Sequence, residues 1–380
     1  MAARETELFC IGNALVDVFA RGEEQIALRY GINGPVQHIE IETLHELLGA
    51  LNVPAALPAL TAVSGGGAAN VAKIASYLGA DLRFAGALGR DEETGASRPD
   101  KFGRLFERDL SEAGVKLRLA LKPSPTGICL MLQTAENETR IAASPSASVE
   151  LSESDIDGDE INKAKIVVID GFMLGRPGLV RHILGLVDKR RTLAAIDLSS
   201  AEIAGEYAAD ILDYARQYSL FLFMNEEEAG ALLKALAFCK GPDDPGLASG
   251  LLRLLSETLS PRPAGKLRLA LRAFVRGIRG KFKEPGPRPL FPVIVVKLGP
   301  RGAAVFSGGN VCMAETQALS STDSTGAGDA FCAGFLTAWL RKKPLAECAA
   351  FGNRTARLVL DVSGTKVDGE RFKELRLLLR

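Results

Sequence analysis

Short apolar runs alternate with amphipathic stretches along most of the chain. Four of these runs are nearly continuous in β-branched, aromatic and other apolar residues, and they lie at 165–170, 192–197, 220–225 and 293–299. Such runs are typical of strands that are buried on both faces of a parallel sheet. Helical stretches between them, as at 176–190 and 206–218, predict an α/β fold with a doubly wound, mostly parallel sheet and right-handed crossovers.

Two further regions predict a smaller sheet. Residues 8–20 read as an N-terminal strand that continues into an extended segment, and residues 116–144 read as consecutive strands separated by turns. We expect parts of 12–40 and 116–144 to pair as a small antiparallel sheet on the α/β core. A small sheet attached in this way is typical of a lid over a site.

Residues 234–290 break the alternation. They contain twelve Lys or Arg and four Asp or Glu, a net charge of +8 in a chain whose total is zero. Arg268, Arg272 and Arg276 recur at helical spacing between flanks that are rich in Pro and Gly. The pattern predicts a basic helical insertion with a solvated face. The alternative is a docking helix for an acidic partner or a membrane surface.

Composition excludes several classes of protein. The 46 basic and 46 acidic residues cancel, so the chain is no general nucleic-acid binder. Six scattered cysteines without a C-x-x-C pair, and only three histidines, indicate reduced thiols and no zinc site. Charges near the N-terminus and the absence of an apolar run of about 18 residues predict a cytoplasmic protein without a transmembrane segment.

The most informative stretch for chemistry follows residue 322. Gly326, Ala327 and Gly328 precede an apolar helix, so bare backbone N–H groups and the helix dipole would form an anion site. Asp329, in the first helical turn, would then lie beside a bound phosphate. A carboxylate in that place suits a general base that takes a proton from an attacking hydroxyl. The alternative is an ordinary helix cap.

A second glycine-rich stretch is open to two interpretations. Gly65 and Gly67 open it in the manner of a dinucleotide-binding loop, which would suggest a dinucleotide-dependent dehydrogenase. However, Asn70 stands where that fingerprint needs a third glycine, and the stretch does not follow the first strand directly. Both features argue against the dehydrogenase.

Residues Asp323–Asp329 resemble the D-[ST]-x-G-A-G-D signature of the ribokinase-like, or PfkB, family of carbohydrate and nucleoside kinases. The resemblance implies a three-layer α/β/α fold, with residues 1–380 as one kinase domain. It also implies that Gly326, Ala327 and Gly328 form the anion hole for the transferred phosphoryl group, and that Asp329 is the base.

The same resemblance assigns the acceptor site. Asp17, with Asn13 beside it, matches the family's first-strand motif, whose aspartate binds sugar hydroxyls. Gly66 and Gly67 would bring bare backbone against the sugar ring, since any side chain there would occupy the space of the ring. Asn70, one turn into the helix, would offer a donor and an acceptor to the hydroxyl groups.

The nucleotide side is assigned in the same way. Asn225 and Glu228 resemble an N-x-x-E motif, with Asn225 near the phosphates and Glu228 holding the water shell of Mg²⁺. Gly299 and Gly302 match the loop T-x-G-x-x-G, in which Lys297 replaces the commoner threonine.

Asn353 matches the polar contact of the helix that flanks the adenine. The alternative to a role in adenine binding is an ordinary amphipathic helix with this asparagine on its solvent face.

The implied activity is ATP-dependent phosphorylation of a primary hydroxyl on a sugar or ribonucleoside, with ATP and Mg²⁺, and with a monovalent cation left open. "PTGICLMLQ" and "IDLSSAEI" look nearest to the adenosine kinase branch, although Asp197 replaces an asparagine of that branch. Arg140 is one candidate cation for a phosphorylated acceptor. The chain is expected to be a monomer or a homodimer. A non-catalytic binder of the same fold, with 234–290 as its partner arm, is the rival interpretation.

The chain departs from the family pattern in two places. One is the long 234–290 region. The other is Gly89–Gly103, where the family usually has a compact G-x-D-x-x-G.

Overall fold

The computed structural model describes residues 6–34, 36–53, 62–91, 97–134, 138–238, 292–307, 310–317, 325–360 and 368–379. Within these ranges the strands are β1 (Thr6–Ile11), β2 (Leu15–Arg21), β3 (Val36–His38), β4 (Ala62–Gly65), β5 (Leu82–Gly89), β6 (Lys116–Lys122), β7 (Thr126–Gln133), β8 (Thr139–Ser146), β9 (Ala164–Asp170), β10 (Leu193–Asp197), β11 (Leu220–Asn225), β12 (Val293–Lys297), β13 (Ala303–Ser307) and β14 (Asn310–Ala314). The α-helices are α1 (Glu24–Arg29), α2 (Ile41–Ala50), α3 (Gly67–Tyr77), α4 (Lys101–Glu112), α5 (Gly158–Lys163), α6 (Pro177–Leu186), α7 (Ala201–Glu206), α8 (Ala208–Gln217), α9 (Glu226–Phe238), α10 (Ala327–Leu340), α11 (Leu345–Leu360) and α12 (Lys373–Leu377).

The predicted doubly wound sheet is confirmed. The larger sheet has the order β14-β13-β12-β11-β10-β9-β1-β5-β6, and its pairs are parallel from β12 to β6. The hairpin β12-β13-β14 adds the two antiparallel strands at one edge. The four apolar runs of the sequence are the neighbouring strands β9 to β12, which explains why both faces of each run are apolar.

Alternating side chains along each central strand build two cores, one on each face of the larger sheet. Leu8 and Cys10 of β1 pack on the face that α3, α4, α10 and α11 cover. Phe9 and Ile11 pack on the face that α6, α8 and α9 cover. This arrangement is the three-layer α/β/α architecture that the alternation of strands and helices predicts.

The smaller sheet has the order β3-β8-β7-β2-β4 and differs from the prediction in two respects. It is mixed rather than antiparallel, because β2 pairs with β7 and β3 pairs with β8 in parallel. It also excludes the first strand of 116–144. Residues Lys116–Lys122 instead continue the larger sheet as β6, in parallel register with β5 from Arg83 to Gly89. The short strand β4, at Ala62–Gly65, was not predicted.

The N-terminal segment 8–20 divides between the two sheets at Gly12. A Cβ atom on Gly12 would lie 2.7 Å from the Cβ atoms of both Ala68 and Asp170. Only glycine therefore lets the chain pass this close to α3 and the end of β9 as it leaves the larger sheet. The crossing places β2 next to the glycine-rich turn that opens α3.

The Gly89–Gly103 region, which is longer than the compact family motif, carries the cap of α4. Asp100 caps α4 by accepting a hydrogen bond from the Gly103 N–H at 2.8 Å. Its second oxygen accepts from the Thr126 N–H, at the start of β7, at 2.7 Å. Arg90 and Pro99 form an isolated antiparallel bridge just before this cap. Asp100 therefore links the start of α4 to the smaller sheet.

Most of the predicted basic insertion 234–290, from residue 239 onward, lies outside the described residues. Among the helices that are described, none combines the length and the apolar character that crossing a membrane requires.

Candidate active site

A cavity of about 600 Å³ opens at the carboxyl ends of the central parallel strands. Asp197, Asn225 and Lys297, the last residues of β10, β11 and β12, point their functional groups toward it. Ligand sites of doubly wound sheets lie at this edge. Of the residues that the sequence assigns to a site, those lining the cavity are Gly67, Asn225, Glu228, Lys297, Gly299, Gly302, Ala327, Gly328, Asp329 and Asn353.

The N-terminus of α10 forms one wall of the cavity. Gly326 precedes the helix in the left-handed region, at φ 76°, and has no side chain that could cap the helix. The N–H groups of Ala327, Gly328 and Asp329 belong to the first turn, where no intrahelical carbonyl is available. These exposed donors and the helix dipole suit a phosphate group. Asp323 lies outside the described residues.

Asp329 is a buried carboxyl group with a perturbed proton affinity. It accepts a hydrogen bond from Asn70 Nδ2 at 2.9 Å. Its pKa is raised to about 8, chiefly by burial and also by the charge of Asp197, while the Asn70 hydrogen bond and Lys297 oppose the rise. Asp170 also raises it. A carboxyl group with a pKa in this range can accept a proton near neutral pH, as a general base must.

The acceptor motif folds against the start of β2. Asp17 is buried, and a side chain at Gly65 would overlap its carboxylate. Gly66 adopts φ 97°, and a Cβ atom there would overlap the carbonyl oxygen of Asn13. Asn13 Oδ1 accepts a hydrogen bond from Arg176 at 2.8 Å. The two glycines thus allow the turn to lie directly on the strand that carries Asp17.

Gly67 separates two carboxylates and joins the acceptor motif to the cavity. A Cβ atom at Gly67 would lie 3.3 Å from Asp170 Oδ2 and 3.4 Å from Asp329 Oδ1. One turn later, the buried Oδ1 of Asn70 has no hydrogen-bond partner within the described part of the chain. Buried amide oxygens are normally paired, so a ligand hydroxyl is the kind of group that this atom fits.

Asn225 and Glu228 bind each other. The backbone N–H and the side-chain amide of Asn225 donate to the Glu228 carboxylate at 2.8 and 2.9 Å, and the Glu228 N–H donates to Asn225 Oδ1 at 2.9 Å. Burial raises the pKa of Glu228 to about 7, against the opposing charge of Lys297.

No cluster of three metal-binding side chains occurs in the described ranges. Glu228 is the side chain of the cavity lining that the sequence assigns to the water shell of a magnesium ion.

Lys297 forms an ion pair that the sequence did not predict. Its Nζ lies 2.7 and 2.8 Å from the two carboxylate oxygens of Asp197. The following loop turns sharply, because Gly299 and Gly302 adopt φ 54° and φ 90°. A Cβ atom on Gly302 would overlap the Ala314 carbonyl oxygen, so this position excludes a side chain.

Asn353 lies in the cavity wall rather than on a solvent face. Its Nδ2 donates to the Ala314 carbonyl oxygen at 2.9 Å, so that amide hydrogen is already used inside the protein. At the rim, Arg357 donates to Gln317 Oε1 at 3.1 Å. The predicted amphipathic alternative for this asparagine is wrong, because the residue is buried.

The sequence analysis did not identify Asp170 and Arg176 as residues of the site. It named Asp197 but did not predict its ion pair with Lys297. A signal for two of them exists, since the runs "VVID" and "AAID" each end in an aspartate, and neighbouring parallel strands bring such ends together. Arg140, a candidate cation for the acceptor, instead pairs with Glu24.

The dehydrogenase interpretation of 65–70 does not fit the fold. The glycine-rich turn follows β4 of the smaller sheet, whereas a dinucleotide fingerprint follows the first strand of the parallel sheet.

Comparisons with known proteins agree with this geometry. The profile of the pfkB family carbohydrate kinases matches residues 41–245 and 288–370. The chain is 23% identical over 366 residues to adenosine kinase 2 of Arabidopsis thaliana, covering 94% of each sequence. It is 23% identical over 296 residues to an uncharacterized sugar kinase of Archaeoglobus fulgidus, covering 77% of this chain and 96% of that one.

The fold is also similar to solved structures. Adenosine kinase from Sinorhizobium meliloti superposes with a TM-score of 0.71 at 22% identity, covering 98% of this chain and 99% of that chain. A probable sugar kinase from Rhizobium etli gives a TM-score of 0.72 at 20% identity, covering 99% of each chain. The architecture is therefore ribokinase-like. Because the family profile spans most of the sequence, the chain belongs to the pfkB family of carbohydrate kinases and is a phosphotransferase with a sugar or nucleoside hydroxyl as acceptor.

Proposed function

We propose that this kinase transfers the γ-phosphoryl group of ATP to a primary hydroxyl of a sugar or ribonucleoside, with Asp329 as the general base. The observation that carries the proposal is the 2.9 Å hydrogen bond between Asn70 and Asp329. It joins the acceptor motif on α3 to the anion site on α10, although 259 residues separate them. A hydroxyl held by Asn70 would therefore lie beside both the base and the phosphoryl group.

The proposed step needs little covalent chemistry from the protein. Asp329 accepts the proton of the acceptor hydroxyl as that oxygen bonds to the γ-phosphorus, and the bond from phosphorus to the leaving ADP oxygen breaks. The N–H groups of Ala327 and Gly328 stabilise the negative charge on the phosphoryl oxygens. Positioning and electrostatics then supply most of the rate.

On the acceptor side, we assign Asp17 and Asn13 to the hydroxyl groups of the ring. Gly67 lines the cavity, and its lack of a side chain leaves room for the ring against the backbone. Gly66 is needed for the turn itself, because a Cβ atom there would overlap the Asn13 carbonyl oxygen rather than a ligand. Asn70 completes the set through its unpaired Oδ1. The sugar and the ribonucleoside remain alternative acceptors, because relatives of both kinds match the chain.

On the nucleotide side, we assign Asn225, Lys297, Gly299 and Gly302 to the phosphates and their surroundings, and Asn353 to the adenine. Glu228 would hold the water shell of Mg²⁺, which when bound supplies positive charge to the phosphate oxygens.

The smaller sheet is the proposed lid. Strand β6, which belongs to the larger sheet, is not part of this lid. Closure of the lid would exclude water as a competing acceptor. We place the activity in the cytoplasm, since the described cysteines, Cys10, Cys129, Cys312, Cys332 and Cys348, are all free thiols.

A screen of nucleosides and free sugars tests the proposal. Each compound is added to the protein with ATP and Mg²⁺, with and without K⁺, and both ADP release and thermal stabilisation are measured. We expect at least one compound to give stoichiometric ADP and a phosphorylated product. Stabilisation by a ligand without ADP release from any acceptor would instead favour the non-catalytic binder.

A further inference from the structure

The ion pair between Lys297 and Asp197 is a candidate for a role in the reaction. Both side chains line the cavity, and they are only 15% and 11% exposed. The two residues end strands β12 and β10, on either side of β11. An ion pair this well buried is costly to desolvate, so stability alone is a weak reason for its presence.

The ammonium group lies at the anion site itself. A Cβ atom on Gly328, in the first turn of α10, would lie 3.2 Å from Lys297 Nζ. The lysine therefore stands against the same backbone whose N–H groups are free to bind a phosphate. Asp197 holds it there through both carboxylate oxygens, at 2.7 and 2.8 Å.

The charges around the cavity favour a role in phosphate binding. Its described lining includes three acidic side chains, Asp197, Glu228 and Asp329, each of which repels a nucleotide triphosphate when it is deprotonated. The cations in that lining are Lys297 and Arg357, and Arg357 donates to Gln317 at the rim. Lys297 is thus the cation, within the described lining, that stands next to the start of α10.

We propose that Lys297 is a catalytic residue that binds the transferring γ-phosphoryl group, and that Asp197 is the residue that positions its ammonium at the start of α10. The inference rests on the proposed kinase function. Lys297 stays protonated throughout and donates hydrogen bonds to the phosphoryl oxygens. The new bond to the acceptor oxygen forms, the bond to ADP breaks, and the proton goes to Asp329 as described above.

The pair also has an electrostatic consequence for the base. Asp329 is faced by Asn70 from α3, Asp170 from β9, Asp197 from β10 and Lys297 from β12. The positive charge of Lys297 lowers the pKa of Asp329, whereas the negative charge of Asp197 raises it. Removing either charge should therefore shift the proton affinity of the base, in opposite directions for the two residues.

Binding of ATP and ADP to Lys297→Met tests the contact with the γ-phosphoryl group without any turnover. We expect ATP binding, measured by calorimetry, to weaken at least about 10-fold and ADP binding to weaken less than about 3-fold. Lys297→Arg keeps the charge and should retain the preference for ATP, which also shows that position 297 tolerates substitution. Equal weakening of ATP and ADP, or no weakening, would overturn the proposal.

The pH dependence of kcat/KM tests the role of Asp197 and the coupling to Asp329. The acid limb should move to higher pH in Lys297→Met and to lower pH in Asp197→Asn, and kcat should fall about 100-fold or more in the lysine variant.

Lys116→Met removes the lysine of another ion pair, with Asp81 at 3.0 Å, at the far edge strand β6. It is the matched control and should leave the profile unchanged. If the acid limbs of kcat/KM for Lys297→Met and Asp197→Asn lie at the same pH, the proposed coupling to Asp329 is contradicted. A wild-type protein that phosphorylates no acceptor would refute the kinase function, yet the comparison of ATP with ADP would still test Lys297.

Discussion

At the scale of single residues, the proton affinity of Asp329, the proposed base, would govern the chemistry. Burial raises its pKa to about 8, so the carboxyl group is protonated in free enzyme at lower pH and cannot act as a base there. We therefore expect kcat/KM to rise with pH, to reach half of its maximum near pH 8 and to level off above about pH 9. Initial rates at subsaturating substrate, from pH 5.5 to 9.5 in a buffer of constant ionic strength, measure this limb. A profile that is flat over the range would contradict the assignment.

The motifs that the sequence shares with the pfkB family indicated most of the candidate site. The G-A-G-D run, the glycine-rich turn with Asn70, and the N-x-x-E motif all converge on one cavity edge. Pairings across the site were not visible in the sequence. Lys297 and Asp197 are 100 residues apart, and only the parallel register of β10, β11 and β12 brings their side chains together.

At the scale of elements, the loop between β12 and β13 depends on a residue without a side chain. Gly302 has φ 90°, and its Cβ position overlaps the Ala314 carbonyl oxygen. We expect Gly302→Ala to lower the free energy of unfolding by about 1–3 kcal/mol and to weaken ATP binding.

Gly185→Ala is the control, because a Cβ atom in this part of α6 meets nothing within 4 Å. It should stabilise the fold by about 0.5–1 kcal/mol. Chemical denaturation of both variants gives the comparison, and a loss of the same size in both would contradict the steric argument.

The cap of α4 also fastens the smaller sheet. Asp100 accepts from Gly103 within the cap and from Thr126 at the start of β7. We expect Asp100→Ala to cost about 1–2 kcal/mol of stability and to speed amide hydrogen exchange in 126–133.

Asp157→Ala removes the cap of α5, where the side chain accepts from Asp159 and has no described link to β7. This variant should leave exchange in β7 unchanged. Unaltered exchange of β7 in Asp100→Ala would show that the cap does not fasten the sheet.

The elements differed in how far the sequence could predict them. Strands β9 to β12 are buried on both faces, so their apolar runs identified them. Strand β6 lies at a sheet edge and has a mixed pattern of exposed and half-buried residues. The preceding crossover through α4 places it next to its partner, β5. Strand β4 has four residues, which is too short for a periodic signal. Tertiary packing decides which sheet a strand joins, and the local pattern of hydrophobic and polar residues carries no information about that packing.

At the scale of the whole molecule, the fold brings the two proposed ligand sites together. The smaller sheet and α3 carry the residues that we assign to the acceptor, and the ends of the parallel strands and α10 carry those that we assign to the phosphates. The contact between Asn70 and Asp329 joins them. A kinase needs this arrangement, because the acceptor oxygen and the γ-phosphorus must meet in a place from which water is excluded.

The central claim, that Asp329 is the base of a phosphoryl transfer, is tested most directly by turnover of Asp329→Asn on an acceptor found by the screen. Asparagine keeps the size of the side chain and can still accept the hydrogen bond from Asn70, but it cannot take the proton. We predict that ATP binding is retained and that kcat falls by about 10²–10⁴-fold. Turnover within about threefold of the wild-type value would contradict the account.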